Sequence, residues 1–110
     1  MKTYEGIREG HSTFVTVNGR PLDPRLDLWN HSPSGFEWGY AGSGPAQLAL
    51  ALLADHFGND DRALIHYHEF KHAVVARLCK RGWTLTSADI EQHLETLKGG
   101  SHGRALHNLQ

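Results

Sequence analysis

The sequence has little cysteine, no long apolar run and almost no charge imbalance. A single cysteine, Cys79, cannot form an internal disulfide, so we expect a reducing, cytoplasmic location. The longest apolar run, residues 48–54, is far too short to span a membrane. The formal net charge is -1, which leaves no basic field to attract nucleic acid. These shortages argue against disulfide-stapled, membrane-spanning and nucleic-acid-binding classes.

The remaining composition is that of one ordinary globular domain. Hydrophobic residues make up 39% and charged residues 21% of the 110 residues, which is enough apolar sequence for a single modest core. We assign residues 1–98 to this domain and expect residues 99–110 to form a flexible C-terminal tail, because that stretch is polar. The sequence has nine dispersed histidines. This high histidine content favours weak metal binding, or a gain of positive charge by the imidazoles below about pH 6.5.

Strand patterns dominate the first part of the chain. Residues 3–8 and 13–17 are rich in β-formers, and the second run alternates polar with apolar side chains. Asn18-Gly19 then supplies two residues that tolerate positive φ, as a two-residue hairpin turn requires. Residues 20–22 would return as a short partner strand. Pro21 suits an edge position there, because it cannot donate to a ladder.

Two helices are predicted after a long connection. The first covers residues 45–57 and is apolar nearly all round, which is typical of a central, buried helix. Ser43 or Gly44 would cap it, and Gly58 would end it. The second covers residues 61–81 and carries one apolar stripe, which must face the core.

A short strand and a third helix complete the predicted fold. The strand covers residues 83–85. The helix begins at a capping box that starts at Thr86, and the helix ends at Gly99-Gly100. The predicted class is α+β. A short N-terminal antiparallel sheet, with the segment 83–85 as a candidate further strand, packs on a buried central helix, a long amphipathic helix and a short C-terminal helix.

The segment before the first helix is the most distinctive part of the sequence. Three aromatic residues and four glycines lie close together in the run Gly35-Phe36-Glu37-Trp38-Gly39-Tyr40-Ala41-Gly42-Ser43-Gly44. In an extended chain Phe36, Trp38 and Tyr40 share one face, which is typical of a segment that faces the core. The Gly42-Ser43-Gly44 stretch allows two interpretations: a sharp structural turn, or a site where backbone N–H groups at a helix N-terminus bind an anion.

This run, continued by Pro45-Ala46-Gln47-Leu48-Ala49, resembles a family of small uncharacterised bacterial and phage proteins, domain of unknown function family 6166. The resemblance extends from about Tyr4 to Leu97 and includes Val17-Asn18-Gly19-Arg20-Pro21-Leu22, Tyr67 with Phe70-Lys71, and Trp83-Thr84-Leu85. It implies no activity for any residue. The resemblance implies an origin in bacteria or mobile elements. Modulation of a host protein would fit that origin.

A non-catalytic binding or modulator protein is therefore the function that the sequence favours, with another protein as partner. Large aromatic side chains dominate protein-binding hot spots, and three of them lie in or near the glycine-rich segment. The candidate ligand- or partner-binding residues are Trp29, Glu37, Trp38, Tyr40, Ser43 and Gly44. Core packing is the competing interpretation, above all for Trp38. Exposure of Trp29, Glu37 and Ser43 together would support the binding hypothesis.

A small zinc-dependent hydrolase is the alternative function. His68-Glu69-Phe70-Lys71-His72 matches the H-E-x-x-H pattern, in which two histidines on one helix face bind Zn²⁺ and the glutamate, here Glu69, activates a water molecule. Lys71 counts against this hypothesis, because it places a cation inside the motif. A third ligand at a recognised spacing is missing, although the third helix offers acidic and histidine side chains. A solvated helix face is the simpler interpretation.

Cys79 has a structural interpretation as a small, partly buried apolar residue. It is seven residues beyond His72 in the predicted helix, which is too far to share one metal ion. No base that would activate its thiol is indicated. Val75 and Cys79 lie on one face of the predicted helix, and this face could form the interface of a homodimer.

Overall fold

The computed structural model describes the backbone of residues 1–108 and the side chains of residues 1–98. That part of the chain confirms the α+β class. The strands are β1 (Thr3–Glu9), β2 (Ser12–Val17), β3 (Arg20–Pro21) and β4 (Gly82–Thr86), and the helices are α1 (Ser43–Phe57), α2 (Asp60–Ala73) and α3 (Ser87–Asn108), with a 3₁₀ turn at Val75–Arg77. None of the described helices combines the length and the apolar character needed to cross a membrane.

The four strands form one antiparallel sheet in the order β3-β2-β1-β4. The predicted hairpin turn is confirmed, since Asn18 and Gly19 have φ values of 50° and 81°. Pro21 lies on the edge strand, where its missing donor costs nothing. The segment around Trp83 joins the sheet as β4 on the other side of β1, with Leu85 opposite Tyr4.

One face of the sheet packs against the helices. The ring of Trp83 lies over Gly6, where any Cβ would overlap the indole. Trp38, which is completely buried, meets Trp83 edge to face with ring centroids 5.6 Å apart. Tyr4 donates a hydrogen bond of 2.6 Å to Asp55 near the end of α1, and burial raises the pKa of this phenol. These contacts fix the sheet on α1.

α1 is the central helix, as its apolar composition predicts. Eleven consecutive residues from Gly44 to Ala54 are buried, and each large side chain among them stabilises the fold by about 1.5–3 kcal/mol. Gly58 ends the helix in the left-handed region at φ 62° and donates to the Ala54 carbonyl. The predicted cap is wrong: Gly42 is the N-cap, and Ser43 is the first helical residue with no capping hydrogen bond.

The long loop between β3 and α1 is held by a buried glutamine. Gln47 has no exposed surface, and its carboxamide makes four hydrogen bonds to the loop backbone. The side-chain oxygen accepts from the N–H groups of His31 and Ser32 at 2.7 and 3.0 Å. The side-chain nitrogen donates to the carbonyls of Pro24 and Trp29 at 2.6 and 3.0 Å. One side chain thus replaces the backbone pairing that a regular element would provide.

α2 begins as predicted but ends early. The side chain of Asn59 caps it by accepting from the Arg62 N–H at 3.1 Å. The helix ends at Ala73 instead of residue 81. Beyond it the chain tightens into the 3₁₀ turn and becomes extended at Leu78, which brings the Lys80 carbonyl to within 3.1 Å of the Trp38 indole nitrogen. The same carbonyl accepts a hydrogen bond from Arg8 of β1, so the extended segment after α2 contacts both the loop before α1 and the sheet.

The capping box at the start of α3 is confirmed. The Thr86 hydroxyl accepts from the Asp89 N–H at 3.1 Å, and the Asp89 carboxylate accepts from the Thr86 N–H at 2.9 Å. Ile90 is buried on the inward face. α3 is assigned to Ser87–Asn108, so it continues past Gly99, where we predicted its end. The flexible tail predicted for residues 99–110 lies outside the residues whose side chains are described and stays a prediction.

Candidate functional site

A groove of about 700 Å³ lies between the tip of the β1–β2 hairpin and the N-terminus of α1. Four of the six predicted binding residues line it: Glu37, Tyr40, Ser43 and Gly44. The opposite wall comes from the hairpin, where Phe14 is 52% exposed. We call this feature the hairpin groove. It joins segments that are distant in sequence, which is why the position of its far wall could not be predicted.

The wall next to α1 owes its shape to two glycines. Gly39 has a φ of 85° and donates its N–H to the Val75 carbonyl at 3.1 Å. This left-handed residue reverses the chain between Trp38 and Tyr40. Gly44 lies so close to the loop that a Cβ would stand 2.6 Å from the Cβ of Glu37. The α1 N-terminus therefore packs directly on the loop that carries the groove residues.

The turn at Gly39 overturns part of the prediction for the aromatic segment. Trp38 lies in the core and Phe36 packs against it, as predicted, but Tyr40 does not, and no strand is assigned to this segment. Trp38 is fully buried, Phe36 is half-buried in the groove, and Tyr40 is 47% exposed. Trp38 is therefore a core residue. Tyr40 is the aromatic side chain of this segment that a partner can reach most easily.

Arg8 neutralises the carboxylate that lines the groove. Its guanidinium donates to both oxygens of Glu37, at 2.6 and 3.0 Å, and to the Lys80 carbonyl at 2.8 Å. It also lies over the Trp38 ring, 5.1 Å from the centroid. These hydrogen bonds lower the pKa of Glu37, so this carboxylate stays ionised and paired. No spacing in the sequence predicts this pair, because Arg8 of β1 and Glu37 of the loop before α1 meet only in the folded protein.

Trp29 lies outside the hairpin groove. It is 56% exposed and stacks on His31 with centroids 5.5 Å apart, and His31 in turn is 2.9 Å from the Tyr67 hydroxyl. Burial, reinforced by the charges of Lys71 and then His68, lowers the pKa of His31. Trp29, Glu37 and Ser43 are thus each at least partly exposed, but only the last two line the same groove.

The two histidines of the H-E-x-x-H segment are exposed neighbours on α2. The rings of His68 and His72 are 4.9 Å apart and nearly perpendicular. Desolvation, with the charges of Lys71 and His68, lowers the pKa of His72. Glu69 lines a separate cleft between α2 and α3. Among the described side chains, no group of three histidine, cysteine, aspartate or glutamate residues is placed to hold a metal ion.

The predicted surroundings of Cys79 are wrong. The residue is exposed and not partly buried, and it follows the 3₁₀ turn and does not lie in the second helix. The backbone N–H groups of Arg81 and Gly82 lower the pKa of its thiol. Val75 is completely buried. The helix face that left a homodimer open is therefore absent from the described structure.

Sequence reasoning missed the hairpin side of the groove. Phe14 was treated only as a strand residue, although its outward position follows from the alternation that buries Val15. The Thr13 hydroxyl donates to the Phe36 carbonyl at 2.7 Å and ties the two walls together. A large aromatic residue on the exposed face of a hairpin next to a glycine-rich loop was the signal available.

Comparison with known proteins gives a family and no activity. Neither the curated proteins nor the solved structures contain a match. A family model matches residues 4–96, which includes the sheet except Thr3, α1, α2 and every described residue that lines the hairpin groove. The chain belongs to the family of unknown function DUF6166.

Proposed function

We propose that this protein is a non-catalytic binding module that captures a segment of another protein in the hairpin groove. The observation that carries the proposal is the convergence of Glu37, Tyr40, Ser43 and Gly44 with Phe14 in one groove. Tyr40 and Phe14 are each about half exposed. Exposed aromatic side chains beside a polar groove offer the large contact area that dominates protein recognition.

The lining of the groove favours an uncharged, extended segment with an apolar anchor. Hydroxyl groups from Ser12, Ser34 and Ser43 line it and can bond to peptide N–H and carbonyl groups. The charge of Glu37 is already matched by Arg8, so neither a cationic nor an anionic partner is required. An aromatic or aliphatic side chain of the partner would pack against the exposed rings on the walls.

The cellular setting of this binding module is also part of the proposal. One cysteine in 110 residues and a net charge of -1 support action in the cytoplasm on a protein, with nucleic acid and membranes disfavoured. The resemblance noted from the sequence supports a bacterial or mobile-element origin. Modulation of a host protein is the role that combines these features.

A peptide-display selection on the full-length protein tests the proposal. Random peptides are selected on the wild-type chain, and their affinities are measured for Tyr40→Ala, Phe14→Ser and a control, Ile65→Ser. Ile65 is 70% exposed on α2, outside the groove, so its substitution changes apolar surface without touching the site. We expect enriched peptides to lose about tenfold or more in affinity with either groove variant, and to keep it with the control.

Two outcomes would overturn the proposal. One is a selection that enriches no peptide for the wild-type protein. The other is a set of peptides whose affinity is indifferent to both Tyr40 and Phe14. Thermal unfolding of each variant is measured in parallel. Both groove side chains are half exposed, so we expect the substitutions Tyr40→Ala and Phe14→Ser to leave the fold intact.

A further inference from the structure

A second cavity, separate from the hairpin groove, opens between α2, α3 and the end of α1. It has a volume of about 640 Å³, within the range typical of small-molecule sites. Its apolar part is formed by Phe57, Leu94 and Leu97. We call it the α2–α3 cleft. The ring and the two leucines provide a surface that a hydrocarbon or aromatic group could cover.

Arg62 lies at the edge of this cleft in an unusual environment. Its guanidinium carbon is 4.1 Å from the centroid of the Phe57 ring, so the cation lies over the aromatic face. Within the described side chains, this guanidinium makes no salt bridge and no side-chain hydrogen bond. The contact with Phe57 uses no oxygen acceptor, so the N–H groups of this planar guanidinium stay available to donate to a ligand.

The other polar side chains around the cleft set its charge. Lys98 and His66 add nitrogen donors, and Glu69 is the one carboxylate among the lining side chains that the structure describes. Among the described lining side chains, the two permanent cations, Arg62 and Lys98, outnumber the one anion, Glu69, by a single positive charge. That balance fits a single negative charge better than a phosphate cluster or a cation. The T-shaped contact of His66 with Phe57, at 6.0 Å, places this ring beside the apolar surface.

We propose that the α2–α3 cleft binds a small amphiphile that has an apolar body and a terminal carboxylate. The carboxylate accepts hydrogen bonds from the Arg62 guanidinium, whose planar donor geometry matches two carboxylate oxygens. The apolar body covers Phe57, Leu94 and Leu97. This site does not depend on the hairpin groove, and either one can fail without the other.

Three probes with the same ten-carbon chain separate charge from apolar contact. Decanoate and decyltrimethylammonium are titrated into the full-length protein below their micellar concentrations, and 1-decanol is titrated below its solubility limit. Binding is followed by calorimetry and by the NMR signals of the Leu94 and Leu97 methyl groups. We expect decanoate to saturate one site, 1-decanol to bind about tenfold more weakly and the cation to bind no better than the alcohol.

The substitution Arg62→Gln removes the charge and keeps a planar, hydrogen-bonding end group. We expect it to weaken decanoate binding about tenfold and to leave 1-decanol unchanged. Arg77→Gln is the matched control, because Arg77 is an exposed arginine of the 3₁₀ turn outside the cleft lining. Leu94→Asn tests the apolar part and should weaken both decanoate and 1-decanol.

The proposal is overturned if decanoate fails to bind. It is equally overturned if Arg62→Gln binds decanoate as tightly as the wild-type protein does, or if 1-decanol matches decanoate. Methyl shifts confined to residues outside the cleft would contradict the location. Thermal unfolding of all variants shows whether a loss of binding is a loss of fold.

Discussion

Replacing Gln47 with leucine tests whether one buried carboxamide holds the long loop on the protein. The variant keeps a side chain of similar size in the core but removes four hydrogen bonds of 2.6–3.0 Å to the loop backbone. Each such bond is worth about 1 kcal/mol net, so the loss of all four costs about 4 kcal/mol. Burial of the leucine returns roughly 1 kcal/mol.

The balance is a loss of about 3 kcal/mol in the free energy of unfolding. A fold of this size should then melt roughly 10–15 °C lower. Urea unfolding followed by tryptophan fluorescence measures the change, and the amide hydrogen exchange of His31 and Ser32 locates it. We expect both amides to exchange far faster in the variant, because they lose their acceptor.

Gln92→Leu provides the control, since Gln92 is an exposed glutamine on α3. The same chemical change there should alter stability by less than about 0.5 kcal/mol. The reasoning is refuted if Gln47→Leu unfolds within about 1 kcal/mol of the wild-type protein while the His31 and Ser32 amides stay protected. In that case the loop would be held by its apolar contacts, and the four hydrogen bonds would be incidental.

Three further substitutions or titrations test other parts of the structure. Gly6→Ala should lower the free energy of unfolding, measured by thermal unfolding, by about 3 kcal/mol or more, because the new Cβ overlaps Trp83. The control is Gly10→Ala, where a Cβ meets no atom within 4 Å. Its φ of 62° should cost only about 1 kcal/mol. The pKa of Glu37 is lowered in the folded protein, so its ion pair stabilises above the unfolded pKa and is lost as pH falls through the folded pKa. Glu37→Gln should therefore flatten the decline in stability on acidification, and an unchanged acid profile would contradict the pairing. Zinc titration should show weak binding that His72→Ala abolishes, because His68 and His72 are neighbours with no third ligand among the described side chains. Stoichiometric binding at micromolar zinc would contradict this geometry.

The parts of the fold that sequence reasoning predicted correctly depend on local chemistry. The Asn18-Gly19 turn, the left-handed Gly58 and the capping box at Thr86 each need only residues within four positions of one another. Such short-range conformational preferences remain valid in many tertiary settings. The presence of three helices and an antiparallel sheet followed from the same signals together with the apolar periodicity.

The errors occur where a distant contact overrides a local preference. α2 ends at Ala73 although the following residues favour a helix. The extended chain beyond it is stabilised because the Lys80 carbonyl accepts hydrogen bonds from the side chains of Trp38 and Arg8. Tyr40 points away from the core because Gly39 turns the chain. Gln47 was a visible clue, since one polar residue in an all-apolar helix must find partners. Which partners it finds depends on the loop that packs on it.

The hairpin groove separates residues that hold its shape from residues that a partner would touch. Arg8 and Thr13 bridge its walls through hydrogen bonds to Glu37 and to the Phe36 carbonyl, and both are partly buried. Tyr40 and Phe14 stand about half exposed on opposite sides. A groove fixed by such bonds loses little entropy when it is occupied, so exposed side chains on its walls can contribute most of their contact energy to binding. For the same reason a change at Tyr40 should report on binding alone, whereas a change at Glu37 alters stability and binding together.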